Sequence, residues 1–234
     1  MTEELELETY LHVTLNKFVI YIFDKKQFIN LYKEEYKFEN TTQNLQINFL
    51  SEFLEQNIFK IEKITGKFIK NIFLVLESNK IQNLYLGIKK KNYNNVINQK
   101  YIENTLTEAK DLFKENYHDQ NIMHILVNNY LINGYNYSSF VENLSSDNIS
   151  LEIQFIFIPS NLVLKLEKTL EKFQIKIIKY IDGNYMKDFF GQTDLKFETM
   201  VCKIKSGCNE NEIILVPKSN RNKGLFEKFF QLFS

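Results

Sequence analysis

Glycine and proline are scarce, with seven Gly and two Pro in 234 residues. That scarcity argues against long linkers, low-complexity regions and a Gly-rich phosphate loop. Net charge is also lacking: 29 Lys and Arg balance 29 Asp and Glu, so no whole-protein field draws the chain to nucleic acid. The opening residues, MTEELELETY, are acidic where a secretory signal is basic and then apolar. No run approaches the ~18 apolar residues of a membrane-spanning helix. Cys202 and Cys208 lie in a polar stretch, and without a secretion signal they read as free thiols of a reducing compartment. What is present is ordinary for a folded protein. Hydrophobic residues make up 44% and charged residues 25%, enough for one domain or for one domain with a second inserted.

Periodicity divides the chain into mixed elements. Residues 10–23 read as a strand and 28–38 as its partner, both rich in β-branched and aromatic residues. Helical spacing takes over across 41–66, where Leu45, Phe49, Phe53 and Ile61 form a stripe, Thr41 or Thr42 caps the start and Gly66 the end. A strand at 69–78, a helix between Gln99 and Asn116 and a strand at 122–134 follow. Residues 149–158 alternate cleanly as a strand, and Pro159-Ser160-Asn161 ends it and caps a helix carrying Leu162, Leu166, Leu170 and Phe173. A strand at 174–181 and a short helix near 185–190 come next, then a hairpin formed by FETMVCKIK and EIILVP.

Candidate catalytic residues are few. His12 and His124 fall inside expected strands and His118 in a polar loop, none with a second ligand at metal-binding spacing. They read as structural or surface histidines. The pairs Glu34-Glu35 and Glu52/Glu55 suit solvated faces, and YNYSS at 135–139 suits a surface loop because no Lys or Arg flanks it. No nucleophile elbow, Walker A or dinucleotide fingerprint occurs. The residues alone describe a non-catalytic mixed α/β protein without cofactor or metal.

Three strings resemble the bacterial cell-division actin homologue FtsA: IKNIFLVLESNKIQ (69–82), YIENTLTEAKDLFKENYHDQNIMHILVNNYLING (101–134) and SLEIQFIFIPSNLVLKLEKTLEKFQIKIIKYI (150–181), with Ala109, Lys110, His124 and Tyr130 matching directly. The resemblance implies a reduced actin-like ATPase subdomain over 9–66 and 184–216, interrupted by an SHS2-type α+β insertion over 67–183. In that family the insertion serves self-association and contacts with other division proteins. The phosphate signatures of the family depart here. HVTLNK (12–17) has His12 in place of the magnesium-side Asp and Thr14 in place of Gly, and KSGCNE (205–210) has Lys205 in place of Asp. A magnesium–nucleotide site needs those carboxylates and glycines, so the resemblance implies no ATP binding. It also implies that the second lobe is absent. Direct docking to the tubulin homologue FtsZ, which resembles a second-lobe function, does not carry over.

The last residues stand apart. On a helix of ~100° per residue, Leu225, Phe226, Phe229, Phe230, Leu232 and Phe233 fall in one arc of about 160°, and Glu227, Lys228, Gln231 and Ser234 in the rest. Lys218, Arg221 and Lys223 precede them in a linker that opens at 217. Such a segment suits an anionic membrane surface, with Lys223 and Lys228 beside the six apolar residues. The same wheel serves a helix docked on the protein's own core or in a partner's groove. The family resemblance places a membrane-attaching amphipathic helix here, and so implies a peripheral protein on the cytoplasmic side of the inner membrane. Two other classes fit the pattern: a pilus-assembly adaptor of the PilM kind, and a stand-alone SHS2-like binding module with a docked helix. Burying one apolar side chain gives ~1.5–3 kcal/mol, while ordering each backbone residue costs ~1–2 kcal/mol. One such tail is a marginal anchor, and several on one assembly gain by avidity.

Overall fold

The computed structural model describes residues 5–39 and 43–213. They form two compact units, one of residues up to Ile81 plus Ile158–Cys208, the other of Gln82–Phe157 plus the segment from Asn209.

The first unit is built on a five-stranded sheet. Its strands are β1 (Leu7–Val13), β2 (Lys17–Asp24), β3 (Ile29–Lys37), β4 (Asn71–Leu76) and β9 (Lys176–Asp182), in the order β3-β2-β1-β4-β9. β1, β2 and β3 pair antiparallel, whereas β1–β4 and β4–β9 pair parallel. The chemistry of the strands fits their places. β2 reads FVIYIF and β4 IFLVL, apolar on both faces as interior strands between covering layers must be, while edge strand β3 carries Lys33, Glu34, Glu35 and Lys37. Helix α1 (Ile47–Thr65) buries Leu50, Phe53, Leu54 and Ile61 and ends at Gly66, whose φ of 66° is the left-handed cap that glycine adopts without strain. It lies beside α3 (Ser160–Glu171). Tyr10 and His12, whose side chains share one side of β1, meet α5 (Phe197–Lys205) on the other face, and α4 (Gly183–Phe190) follows β9 directly.

The second unit is α+β. Its sheet runs β5-β8-β6-β7, from β5 (Gln82–Ile97), β8 (Leu144–Pro159, whose last residues belong to the first unit), β6 (Gln120–Ile132) and β7 (Tyr135–Tyr137). β6 and β7 turn on Asn133-Gly134, both at positive φ (51° and 85°), which suits a two-residue hairpin. One face is covered by α2 (Gln99–Asn116), capped by the Asn98 side chain accepting the Tyr101 N–H at 3.0 Å. Ile102, Leu106, Ala109 and Phe113 of α2 meet Ile149, Leu151, Ile153, Phe155 and Phe157 in the core, with Phe113 stacked on Phe155 at 4.9 Å. Residues 211–213 lie along β6: the Val127 N–H donates to the Asn211 carbonyl and the Ile213 N–H to the Ile125 carbonyl, each at 2.9 Å.

The fold is therefore mixed α/β as expected, and the first sheet is antiparallel over β3-β2-β1 and parallel over β1-β4-β9. Several boundaries differ. Residues 10–23 are not one strand but β1 and β2 joined by a turn at 14–16. FETMVCKIK is helix α5 and not a hairpin strand, because Phe197, Val201 and Ile204 recur at helical spacing and bury one face. Only 212 bridges β6 on the hairpin's expected second arm, and residues from 214 lie outside those described. α1 starts at Ile47 rather than 41, with no side-chain cap, and Thr41 and Thr42 lie outside the described residues. α3 likewise has no side-chain cap bond at Pro159. β5, a sixteen-residue strand, lies where no element was expected. Of the stretch 67–183 expected as an insertion, the second unit takes Gln82–Phe157, while β4, α3 and β9 belong to the first, with β4 and β9 paired parallel in its sheet; the segment from Asn209 joins the second unit. Cys202 is buried in α5 and Cys208 exposed, and the two form no disulfide.

Candidate functional site

Open α/β sheets take ligands outside the carboxyl ends of their parallel strands. In the first unit β1, β4 and β9 end at Val13, Leu76 and Asp182 around one shallow mouth. A cavity of about 530 Å³ lies there, lined by Thr14, Leu15, Asn16, Glu77, Ser78, Asn79 and Asn184.

Side chains rather than glycine shape the turn after β1. The Thr14 hydroxyl accepts the Lys17 N–H at 3.0 Å and donates to Asn16 Oδ1 at 2.7 Å. Across the mouth, Glu77 follows β4 and its N–H bonds the Val13 carbonyl at 2.9 Å. Its carboxylate is fully engaged: Oε1 meets His12 Nε2 at 2.7 Å and Oε2 meets Lys187 Nζ at 2.7 Å. Gly183, the first residue of α4, makes room for it, since a Cβ there would lie 2.5 Å from Glu77 Cγ. Asp182 closes the helix start by accepting the Asn184 N–H at 3.0 Å.

His12 is 5% exposed and stacks on Phe197 with ring centroids 4.3 Å apart, and Phe197 stacks in turn on Tyr21. Burial lowers its pKa, partly offset by Glu77, so at neutral pH a neutral imidazole donates Nε2–H to the carboxylate. Burial pushes Glu77 upward, but the hydrogen bonds from His12 and Lys187 outweigh it and hold the carboxyl at about 2. Among the described residues Glu77 is the one carboxylate lining this cavity, and Lys187 already balances its charge. Among the described residues no group of three His, Cys, Asp or Glu could hold a metal ion.

The sequence-derived candidates are dispersed. His12 reaches the mouth and HVTLNK does form a hairpin turn. KSGCNE does not face it: Lys205 ends α5 and pairs with Glu8 at 2.6 Å, its ammonium 4.9 Å from the Phe73 ring centroid. Glu8 is four residues from His12 along β1, about 13 Å at ~3.3 Å per residue. His118 is exposed after α2, and His124 is fully buried in the second unit with Nδ1 2.8 Å from Glu212 Oε1. The membrane candidates Lys223, Leu225, Phe226, Lys228, Phe229, Phe230, Leu232 and Phe233 lie outside the described residues. Glu77 and Lys187 were missed. The available signal was a charged residue set directly after the buried run IFLVL, where an interior parallel strand reaches solvent.

No family model and no curated protein matches the chain. Solved structures do. The cytoplasmic domain of EpsL, an inner membrane component of the type II secretion system of Vibrio cholerae, is 8% identical with a TM-score of 0.35, over 76% of this chain and 56% of that one. A PilM–PilN type IV pilus biogenesis complex is 7% identical with a TM-score of 0.42, over 78% and 49%. A Bacteroides thetaiotaomicron protein of unknown function with an actin-like ATPase fold is 12% identical with a TM-score of 0.32, over 81% and 57%. The chain spans about half the length of the solved chains it matches, between 49% and 57%.

Proposed function

We propose that the chain is a non-catalytic adaptor of the FtsA type. It attaches peripherally to the cytoplasmic side of the inner membrane through residues 225–234 and recruits division proteins, or further copies of itself, through its SHS2-type second unit. One observation carries the reading: at the mouth where an open α/β sheet would take a ligand, Glu77 already accepts from His12 and is balanced by Lys187. That arrangement supports a scaffold role over phosphate chemistry. The segment resemblance supports the division machinery, and the amphipathic wheel of the last ten residues, preceded by Lys218, Arg221 and Lys223, supports the membrane.

Co-sedimentation with anionic vesicles tests it, comparing the full chain with one ending at Asn222. The full chain is expected to pellet and the shorter one to stay in solution, and equal pelleting would remove the membrane part of the reading. Saturable binding of magnesium–ATP by calorimetry would remove the non-catalytic part. Recovery of pilus or secretion proteins instead of division proteins on the purified native complex would reassign the machinery.

A further inference from the structure

A long edge strand presents a row of unpaired N–H and C=O groups, a template for another strand. β5 has such an edge: among the described residues it pairs with β8 alone. Its regular run is Gln82–Lys91, matched residue for residue by Phe157–Asn148. Beyond it, residues 92–94 bulge against Asp147, with Tyr93 and Asn94 at positive φ (50° and 57°). The Asn92 and Asn95 side-chain amides clasp the bulge, each donating to the other's carbonyl at 2.6 and 2.7 Å. The bulge therefore sets where straight pairing ends. At the far side of the sheet the outer edge of β6 is taken by β7 and by residues 211–213. Alternation divides the run between two faces. Leu84, Leu86 and Ile88 are half-buried on the α2 side, and Tyr85, Gly87 and Lys89 are exposed on the other.

We propose that this edge pairs with the same edge of a second copy, antiparallel about a two-fold axis at Leu86, joining two four-stranded sheets into one. The run is complementary to itself in that register. Leu86 meets Leu86 and Leu84 meets Ile88, which continues the apolar strip across the axis on the α2 side. On the other face the Tyr85 ring of each copy covers Gly87 of the other, the cross-strand pairing by which an aromatic shields an edge glycine. Lys89 and Lys90 fall opposite Asn83 and Gln82, neutral and polar. Other registers are worse. An axis at Gly87 sets Leu84 against Lys90 and Tyr85 against Lys89, axes at Lys89 or Lys90 set lysine on lysine, and an axis at Tyr85 makes fewer pairs before Gln82 ends the strand. The lysines thus select one register. The cavity beside Leu86, Ile88 and exposed Leu112 mixes Lys89 with Glu108, Asp111 and Glu115, and Lys90 holds Glu108 at 2.6 Å, so no single sign of charge opposes a copy. Such pairing is isologous and closes at two chains. The proposal rests on the reading of the second unit as the part that binds, and names its partner as another copy of the chain.

The test is sedimentation of the lipid-free full chain over a concentration series, wild type against Gly87→Lys. A Cβ at 87 meets nothing within 4 Å in one copy, and Glu152 of β8 is the cross-strand neighbour of the new ammonium. Across the axis the exchange fills the space under Tyr85 and sets the two new charges diagonal to each other. A concentration-dependent dimer is expected, with a dissociation constant roughly tenfold weaker in the variant, since each change counts twice across the axis. Register is read by cross-linking on a Cys208→Ser background with diamide as oxidant. A mixture of Tyr85→Cys and Gly87→Cys chains is expected to form disulfide dimers faster than either variant alone, because directly opposed residues have the Cα spacing of a disulfide. Equal cross-linking in the mixture and the single variants, or a dimer indifferent to Gly87→Lys, would overturn the β5 pairing and give self-association to another surface. A monomer at every concentration would also overturn it, while division proteins recovered with the native chain would leave the recruiting reading standing. A dimer lost when the chain ends at Asn222 would assign association to residues 223–234 and overturn the pairing as well.

Discussion

The two units treat their free polar and apolar surface in opposite ways. In the first, the carboxylate at the carboxyl-end mouth, Glu77, accepts from His12 and has its charge balanced by Lys187. In the second, helix α2 covers one face of an antiparallel sheet and leaves Leu86 and Ile88 of β5 half-buried and its own Leu112 exposed. The first arrangement balances charge within the unit, and the second leaves apolar side chains beside a cavity.

Four measurements would break or sharpen that contrast. The largest effect is expected from Phe113→Ala, which empties the centre of the α2–β8 core and should cost about 3–5 kcal/mol. Hydrogen exchange should show the loss in β5, β6, β8 and α2, and equal loss in β1, β2 and β4 would contradict two separate cores. Glu212→Ala should cost less, about 1–3 kcal/mol, by removing the carboxylate that meets buried His124. Exchange of the Val127 and Ile213 amides should rise with it; unchanged protection there would show that the pair does not hold residues 211–213.

Next comes Gly183→Ala, expected to cost about 1–3 kcal/mol because its Cβ forces Glu77 off its partners. Adding Glu77→Ala on that background should recover part of the loss in urea unfolding, and purely additive losses would count against the contact.

The remaining measurement concerns pH. Glu77 titrates at about 2 when folded against an ordinary 4.5, so its stabilisation is complete above 4.5 and is lost as pH falls from there to about 2. His12 is lowered by burial, so the unfolded chain takes up its proton first, near 6.5, and stability is lost as pH falls below that value. Denaturation midpoints should therefore decline in two stages on acidification. Glu77→Gln should remove the stage below 4.5, and an unchanged profile would show that the triad contributes nothing.

Much of this architecture was legible in the residues. The IFLVL and FVIYIF runs announce interior strands, and Ile102, Leu106, Ala109 and Phe113 announce the buried face of α2, because burial imposes a period that sequence displays. Gly66 marked a helix end correctly. β5 was not legible: its inward Leu84, Leu86 and Ile88 are followed by KKKNYNN, whose polarity hides a strand that lies at an edge. α5 was misread because a nine-residue segment holding Val201, Cys202 and Ile204 satisfies both periods, and only packing decides. Of the site, His12 stood out through the family comparison. Glu77 and Lys187 did not, since 110 residues separate them and nothing local links a glutamate after a strand to a lysine inside a short helix.

The close approach at the start of α4 also has a meaning for sequence variation. A glycine at 183 and a long acidic side chain at 77 fit the same space, so neither position is free to drift alone. In related chains a side chain larger than hydrogen at the first position should accompany a shorter one at the second, and with the glutamate gone the lysine at 187 and the histidine at 12 lose the reason to be kept. Four positions scattered between 12 and 187 would then change as a group, and their joint presence would mark chains that keep this carboxylate paired.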